Sequence, residues 1–333
     1  MKHVYRCLSI YLAFSLSLTA CQKQPEKQSG PPDKVTIAYV TASHGYFLFD
    51  IACAKGFFTE EGLDVTLQPH SFGKVALDAL IEGKADIATS ANTPIMFAVM
   101  AGKKLGILAV IETANKNTGL IARKDRGILK PSDLRGKTIG VTKGTTGDFL
   151  LDIMLTINGI EKNRVKIINL PPDKMGAALA AGQVDAVSTW HPFLIGLQKN
   201  LKNNGITFYA DTSLTEMYSL TAGQDFIKQH PETIRKVLRG LLKAAEFTRQ
   251  NPVESQRLVA EFLKMDRALL SEVWDIYHLR VTLDQALLVD LESESKWAIS
   301  RNLTLNRKIP NYLDLMYLDG LLKVKPEAVN IIR

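Results

Sequence analysis

Four short polar segments hold the residues with which this chain could do chemistry: Ser43, His44, Gly45 and Tyr46; Ser90, Ala91, Asn92 and Thr93; Thr142 through Gly147, with Lys143, Thr145 and Thr146; and Thr189, Trp190 and His191. They offer hydroxyls, amides, imidazoles, one ammonium and backbone N–H groups, and they contain no Asp or Glu. A pocket built for a cation would want a carboxylate, because burying an unpaired positive charge costs several kcal/mol. These segments therefore suit an anion or a neutral polar molecule. The Thr142–Gly147 turn is glycine-rich and leads from an expected strand into a helix expected to begin near Asp148, so free N–H groups would face a ligand there. A helix start contributes roughly 0.3–2 kcal/mol toward a negative charge, and Thr145 and Thr146 add hydroxyl donors. The alternative for Thr146 is a plain helix cap.

Catalytic patterns are missing. Gly136-Lys137-Thr138 imitates the end of a phosphate-binding loop, but Pro131 stands where the first glycine is needed and Thr138 opens a strand. Neither Ser43 nor Ser71 sits in a Gly-x-Ser-x-Gly elbow. No His-Glu-x-x-His or Cys-x-x-Cys spacing occurs, so no metal and no cofactor is expected. Only Lys143 and His191 remain as acid, base or nucleophile, which is not a complete constellation; the chain reads as a binder, not an enzyme.

The elements that position these segments come from a duplication. Leu80, Gly83, Asp86 and Pro94 in ALIEGKADIATSANTP return as Leu179, Gly182, Asp185 and Pro192 in ALAAGQVDAVSTWHP. Each copy reads as the end of an amphipathic helix, a glycine with φ above zero, and a short strand opening into a polar loop. Phe72, Val75, Ala76, Ala79 and Leu80 fall on one helix face, as do Leu150, Ile153, Met154 and Ile157. Strands are expected at Val35–Val40, Asp64–Leu67, Leu105–Ile111, Thr138–Val141 and Val165–Leu170. The class is α/β: two like lobes with a cleft beyond the strand ends. After about residue 215 helices are expected to dominate, with Tyr218–Ala222 as the last strand. Trp274, Trp297 and Tyr312 are assigned to core.

The ends carry addressing rather than chemistry. Lys2 and Arg6 precede an apolar run from Cys7 to Ala20, the anatomy of a signal peptide over residues 1–20 and too short to span a bilayer. Leu18-Thr19-Ala20-Cys21 looks like a lipobox, with Cys21 the acylated residue that would tether the chain to a membrane. Residues 21–34, with three prolines and one glycine, read as the flexible tether. Cys53 is left without a partner and reads as a small buried apolar residue. The net charge of +7 is spread along the chain and makes no nucleic-acid footprint.

In order and spacing, VTIAYV, EGKADIATSANTP, DLRGKTIGVTKGTTG, INLPPDKMGAALAAGQVDAVSTWHPF and HPETIRKVL resemble the substrate-binding proteins of ABC importers in the nitrate, taurine and alkanesulfonate family, also called thiamine-precursor-like. The resemblance implies a type II periplasmic-binding fold, with lobe 1 in residues 35–114, lobe 2 in 115–214 and a return to lobe 1 with C-terminal helices in 215–333. It also implies ligand contact at Ser90, Asn92, Thr145, Thr146 and Trp190. Expected partners are a small anionic ligand (nitrate, bicarbonate, taurine or another sulfonate), the permease and ATPase subunits of an importer, and a membrane through the lipid anchor, with no nucleic acid; the protein itself is expected to be a monomer on the periplasmic or outer face of the cytoplasmic membrane. His191 departs from the aspartate or small residue common at its position. Protonated it would suit an anion. Beside Trp190 and Tyr46 it would equally suit a stacked heterocycle such as a thiamine pyrimidine precursor, while a metabolite-transforming enzyme on the same fold is the third reading.

Overall fold

The computed structural model describes residues 30–41, 46–210 and 215–332. Cys21 with the leader and most of the tether, and Ser43 and His44, lie outside the described residues.

The repeated phrase is a repeated clamp. The helix Gly73–Ile81 stops before Gly83, whose φ of 70° is open to glycine without a Cβ penalty. The Asp86 carboxylate then accepts the Thr36 N–H at 2.7 Å, while the Asp86 N–H donates to the Thr36 carbonyl at 2.9 Å. In the second copy the helix Pro172–Ala180 stops before Gly182 at φ 71°, and Asp185 makes the same exchange with Thr138 at 2.9 and 2.8 Å. Each aspartate thus pins the start of its own strand to the neighbouring one.

These strands belong to two sheets. One has seven strands in the order Val329–Asn330, Tyr277–Asp284, Leu105–Ala114, Glu216–Gly223, Ile87–Ala91, Asp33–Val40, Leu63–His70. The other has five, in the order Lys166–Asn169, Thr138–Val141, Ala186–Trp190, Thr118–Arg123, Gly205–Phe208. In both, a parallel part carries the helix-linked strands and an antiparallel strand joins it on one side, Glu216–Gly223 against Ile87–Ala91 and Thr118–Arg123 against Ala186–Trp190. Leu105–Ala114 is buried along its whole length, which is why it reads as an almost unbroken apolar run.

The chain passes between the sheets twice, from Ala114 to Thr118 and from Phe208 to Glu216. Glu216 ties the two passages together: its carboxylate accepts the Thr118 N–H at 2.7 Å, the Thr118 hydroxyl at 2.5 Å and the Asn117 amide at 3.3 Å. Tyr277 donates to the Asn117 side-chain oxygen at 2.6 Å. Residues Pro32–Arg333 form one compact unit, and the larger core takes in Phe149, Leu150 and Ile195 from the smaller lobe.

Two expectations fail in the C-terminal third. Tyr218–Ala222 is not the last strand, because Tyr277–Asp284 and Val329–Asn330 extend the larger sheet. The apolar spacing of Leu270, Val273, Trp274 and Tyr277 predicts one helical stripe, but the helix ends at Trp274 and Tyr277 opens the strand. The spacing carried across the break by coincidence. Cys53 is half-buried, and burial pushes its thiol up to about 12, so it is an unreactive packing residue.

Candidate functional site

Three helices start at one cavity between the sheets: Gly73–Ile81, Asn92–Met100 and Thr146–Ile157. Their preceding residues, Phe72, Ala91 and Thr145, are all extended, and none caps its helix with a side chain. The positive ends of the three helices are therefore offered to whatever occupies the cavity. Thr145 instead donates to the Thr142 carbonyl at 2.6 Å, and Thr146 is the first helical residue rather than the cap. Gly73 is required here, since a Cβ would lie 3.1 Å from the Ser90 Cα. Gly144, at φ 73°, makes the turn that aims the Thr146 helix.

The cavity walls are aromatic. Phe72 and Trp190 face each other tilted at 6.2 Å, and Tyr46 meets Tyr218 edge-on at 5.8 Å. Thr118, Thr145 and Thr146 supply the hydroxyls. The cavity offers a space of about 30 Å³, where one water needs about 10–15 Å³.

Of the expected site residues, Tyr46, Thr145, Thr146 and Trp190 line this cavity. Ser90 lies behind it, fully buried, with its hydroxyl unpartnered. Asn92 and Thr93 turn toward the helix Gln285–Ser300: Asn92 donates to Asp290 at 2.6 Å and Thr93 to Glu294 at 2.8 Å. Lys143 does not line the cavity; it lines an adjoining groove of about 800 Å³ with Lys103 and Phe97, and Lys74 and Pro94 border both. His191 is buried, its Nδ1 has no partner, and burial pulls its pKa down to about 4. It is neutral and brings no positive charge to an anion.

Phe72, Gly73, Lys74, Pro94, Thr118 and Tyr218 are lining residues that the loop reading missed. The expectation of an acid-free site also needs correction, because the four loops lack carboxylates but their surroundings do not. A second cavity, of about 20 Å³, is lined by Asn92, Thr146, Glu216, Asp290 and Glu294. Burial pushes Glu216, Asp290 and Glu294 above the usual carboxylate range, and Asp290 raises Glu294 further. Glu112, wholly buried with neither oxygen partnered, is pushed up by burial and then by Asp50 and Glu216.

A further contact joins the lobes next to the second cavity, which Phe149 also lines. Asp152 of the Thr146 helix is buried and accepts the Trp297 indole N–H at 3.1 Å and the Arg301 Nε–H at 2.7 Å, with the Lys162 ammonium 3.5 Å from its other oxygen. The Trp297 ring sits edge-on to Phe97 and Phe149 at 5.9 and 5.0 Å.

Among the described residues no cluster of His, Cys, Asp and Glu is arranged to hold a metal ion, and no helix is long and apolar enough to cross a membrane. Residues 41–255 match the family described as NMT1/THI5 like. The chain belongs to the NMT1/THI5-like family. A Brucella abortus (strain 2308) relative, named only as a binding protein, is 29% identical over 78% of this chain and 80% of its own length. The taurine-binding periplasmic protein of Escherichia coli (strain K12) is 25% identical over 66% of this chain and 67% of its own. Among solved structures, the alkanesulfonate-binding protein SsuA of Xanthomonas axonopodis pv. citri bound to MOPS superposes with a TM-score of 0.75 at 18% identity, covering 87% of this chain and 99% of that one. The desulfurization enzyme DszB superposes with a TM-score of 0.65 at 16% identity, over 89% of this chain and 99% of its own. At those identities the structural likeness speaks for the fold, which binding proteins and an enzyme share.

Proposed function

We propose that this NMT1/THI5-like protein is the solute-binding component of an ABC importer, which closes its lobes on a small anionic solute and delivers it to a permease. The carrying observation is the convergence of three helix starts without side-chain caps on one interlobe cavity. Each start contributes roughly 0.3–2 kcal/mol toward a buried negative charge. Nitrate, bicarbonate, taurine and other sulfonates are the candidate class, and the sulfonate- and taurine-binding relatives support it. The ligand touches both lobes only when they are shut, so binding shifts an open population to the closed one by its differential affinity.

Among the described residues, no nucleophile with a paired base lines the cavity, which supports binding rather than catalysis despite the shared DszB fold. Lipidation at Cys21, a site on the outer face of the cytoplasmic membrane or in the periplasm, and a monomeric state complete the proposal. Calorimetric titration with nitrate, bicarbonate, taurine and short alkanesulfonates tests it: at least one should bind with heat that vanishes in Thr145→Ala, and silence throughout would end the anion reading.

The aromatic walls favour a second reading, a planar heterocycle such as a pyrimidine held between Phe72 and Trp190. Quenching of Trp190 fluorescence by pyrimidines, with none by the anions, would select it.

A further inference from the structure

Glu216 is a buried carboxylate whose hydrogen-bond partners are all neutral and come from both sides of the passage between the sheets. It opens a strand of the larger sheet, in register with Ala114. Thr118, which gives it an N–H and a hydroxyl, opens a strand of the smaller sheet, in register with Trp190. Asn117, in the passage itself, gives the same carboxylate an amide N–H, and the Tyr218 hydroxyl donates to it at 3.1 Å. The Asn117 amide also donates to the Tyr218 hydroxyl, and its oxygen accepts from Tyr277 of the larger sheet. Four donors thus converge on one carboxylate and offset part of the burial that pushes its pKa up. An apolar side chain would fill the same space without the desolvation cost. It would not fix a direction, because hydrogen bonds demand orientation and apolar contacts do not.

These donors tie Glu216 to a wall of the first cavity in each lobe. Thr118 and Trp190 line that cavity from the smaller sheet, while Tyr218 and its register partner Ala91 line it from the larger. Glu216 itself borders the second cavity and is not among the residues described as lining the first. We infer that Glu216 is a positioning residue: through Thr118 and Tyr218 it fixes the angle at which the two walls face each other, and so sets how tightly the lobes close on a solute. The inference rests on the solute-binding reading and adds to it a residue that acts on the solute without touching it. The sign of its effect separates it from a plain charge effect. Thr146 lines both cavities, so the carboxylate is near enough for an anion in the first to be repelled by it. Removing that charge alone would tighten anion binding, whereas losing a positioning residue weakens it.

Glu216→Gln is the test. It keeps the size of the side chain, yet whichever way its amide turns, the new N–H group meets another donor, the Thr118 N–H or the Asn117 amide. Circular dichroism establishes that the variant is folded, and calorimetry then compares it with wild type over nitrate, bicarbonate, taurine and short alkanesulfonates. The folded variant should bind each anion that the wild type binds about 10-fold or more weakly, the scale of one lost charge-assisted hydrogen bond. A purely structural role would lower the melting temperature and leave the affinity of the folded protein alone. A smaller loss, no change or a gain in affinity overturns the inference and leaves the solute-binding reading standing. If the wild type binds none of these anions, the anion reading fails by itself, and small-angle scattering of the solute-free proteins decides: a larger radius of gyration in the folded variant supports the positioning role, and an unchanged one overturns it. Should Glu216→Gln not fold, Asn117→Ala replaces it with the same expected and overturning results, since it removes a donor from Glu216 at a residue outside the lining of the first cavity.

Discussion

The lobes meet at two places built on opposite principles, the cavity pair and the Asp152 contact. At Asp152 the protein pairs its own charges: one carboxylate oxygen receives an indole N–H and a guanidinium, the other has no hydrogen-bond donor but the Lys162 ammonium at 3.5 Å, and the Phe97 and Phe149 rings pack edge-on against the indole. At the cavities it leaves helix starts without caps and a carboxylate oxygen with neither donor nor cation beside it. On the solute-binding proposal, a contact whose charges are paired within the protein would hold the lobes together with or without solute, and an unpaired one would reward closure only when a solute completes it. The shut state is then a sum of a constant part and a ligand-dependent part, and substitutions should separate the two.

The largest effect is expected at the constant part. Trp297→Ala removes a ring that is 9% exposed and should cost about 3–5 kcal/mol in denaturant unfolding; an unchanged midpoint together with unchanged affinity would mean that the Asp152 contact carries nothing.

Next comes acid stability, through the buried His191, which follows the cavity-lining Trp190. Its folded pKa is lowered to about 4 from 6.5 by burial, so the unfolded chain binds the extra proton between those values. Stability from this group is full above pH 6.5 and drains as pH falls toward 4, by about 3 kcal/mol in all. Glu294 and Glu112, pushed upward by burial, work in the opposite sense, losing stability as pH rises above the ordinary carboxylate value. His191→Gln should therefore flatten the acid limb of a melting-temperature profile, and an unaltered limb would show the imidazole already paired.

Trp190→Ala should reduce solute affinity by about 30-fold, as for a buried aromatic anchor worth about 2 kcal/mol. The comparison is sharpened if the free protein of that variant keeps the compactness of wild type in small-angle scattering. The smallest effect belongs to Glu272→Ala. It removes the exposed bridge to Lys199 across the lobes, 2.8 Å long with both side chains about half exposed. Salt screens such a pair, and less than about 1 kcal/mol should be lost; a larger change would move this bridge into the constant part.

The sequence made the lobes legible because duplication leaves paired landmarks: the two glycines and two aspartates keep their roles at Thr36 and Thr138. It also made about a third of the cavity legible, since Tyr46, Thr145, Thr146 and Trp190 stand where strands open into loops. Tyr218 was hidden because it lies inside a strand, where an aromatic reads as core. Asp290 and Glu294 were hidden for a different reason. On the helix Gln285–Ser300 they look like the solvated charges of any amphipathic helix, and only the fold shows that Asn92 and Thr93 face them. Phe72 precedes its helix rather than belonging to its buried stripe, so periodicity assigned it to the wrong surface.

Thr118 has a double position, since it borders the first cavity and also gives its N–H and hydroxyl to Glu216 at the passage between sheets. Under the proposed closing motion, points beside that passage would travel little, and the end of the Thr146–Ile157 helix farthest from it would travel most. On that proposal Tyr218 and Thr118 would form a landing pad already assembled before the lobes shut. A solute would then meet its fixed half first, with the moving half following over a guest of fitting shape and charge.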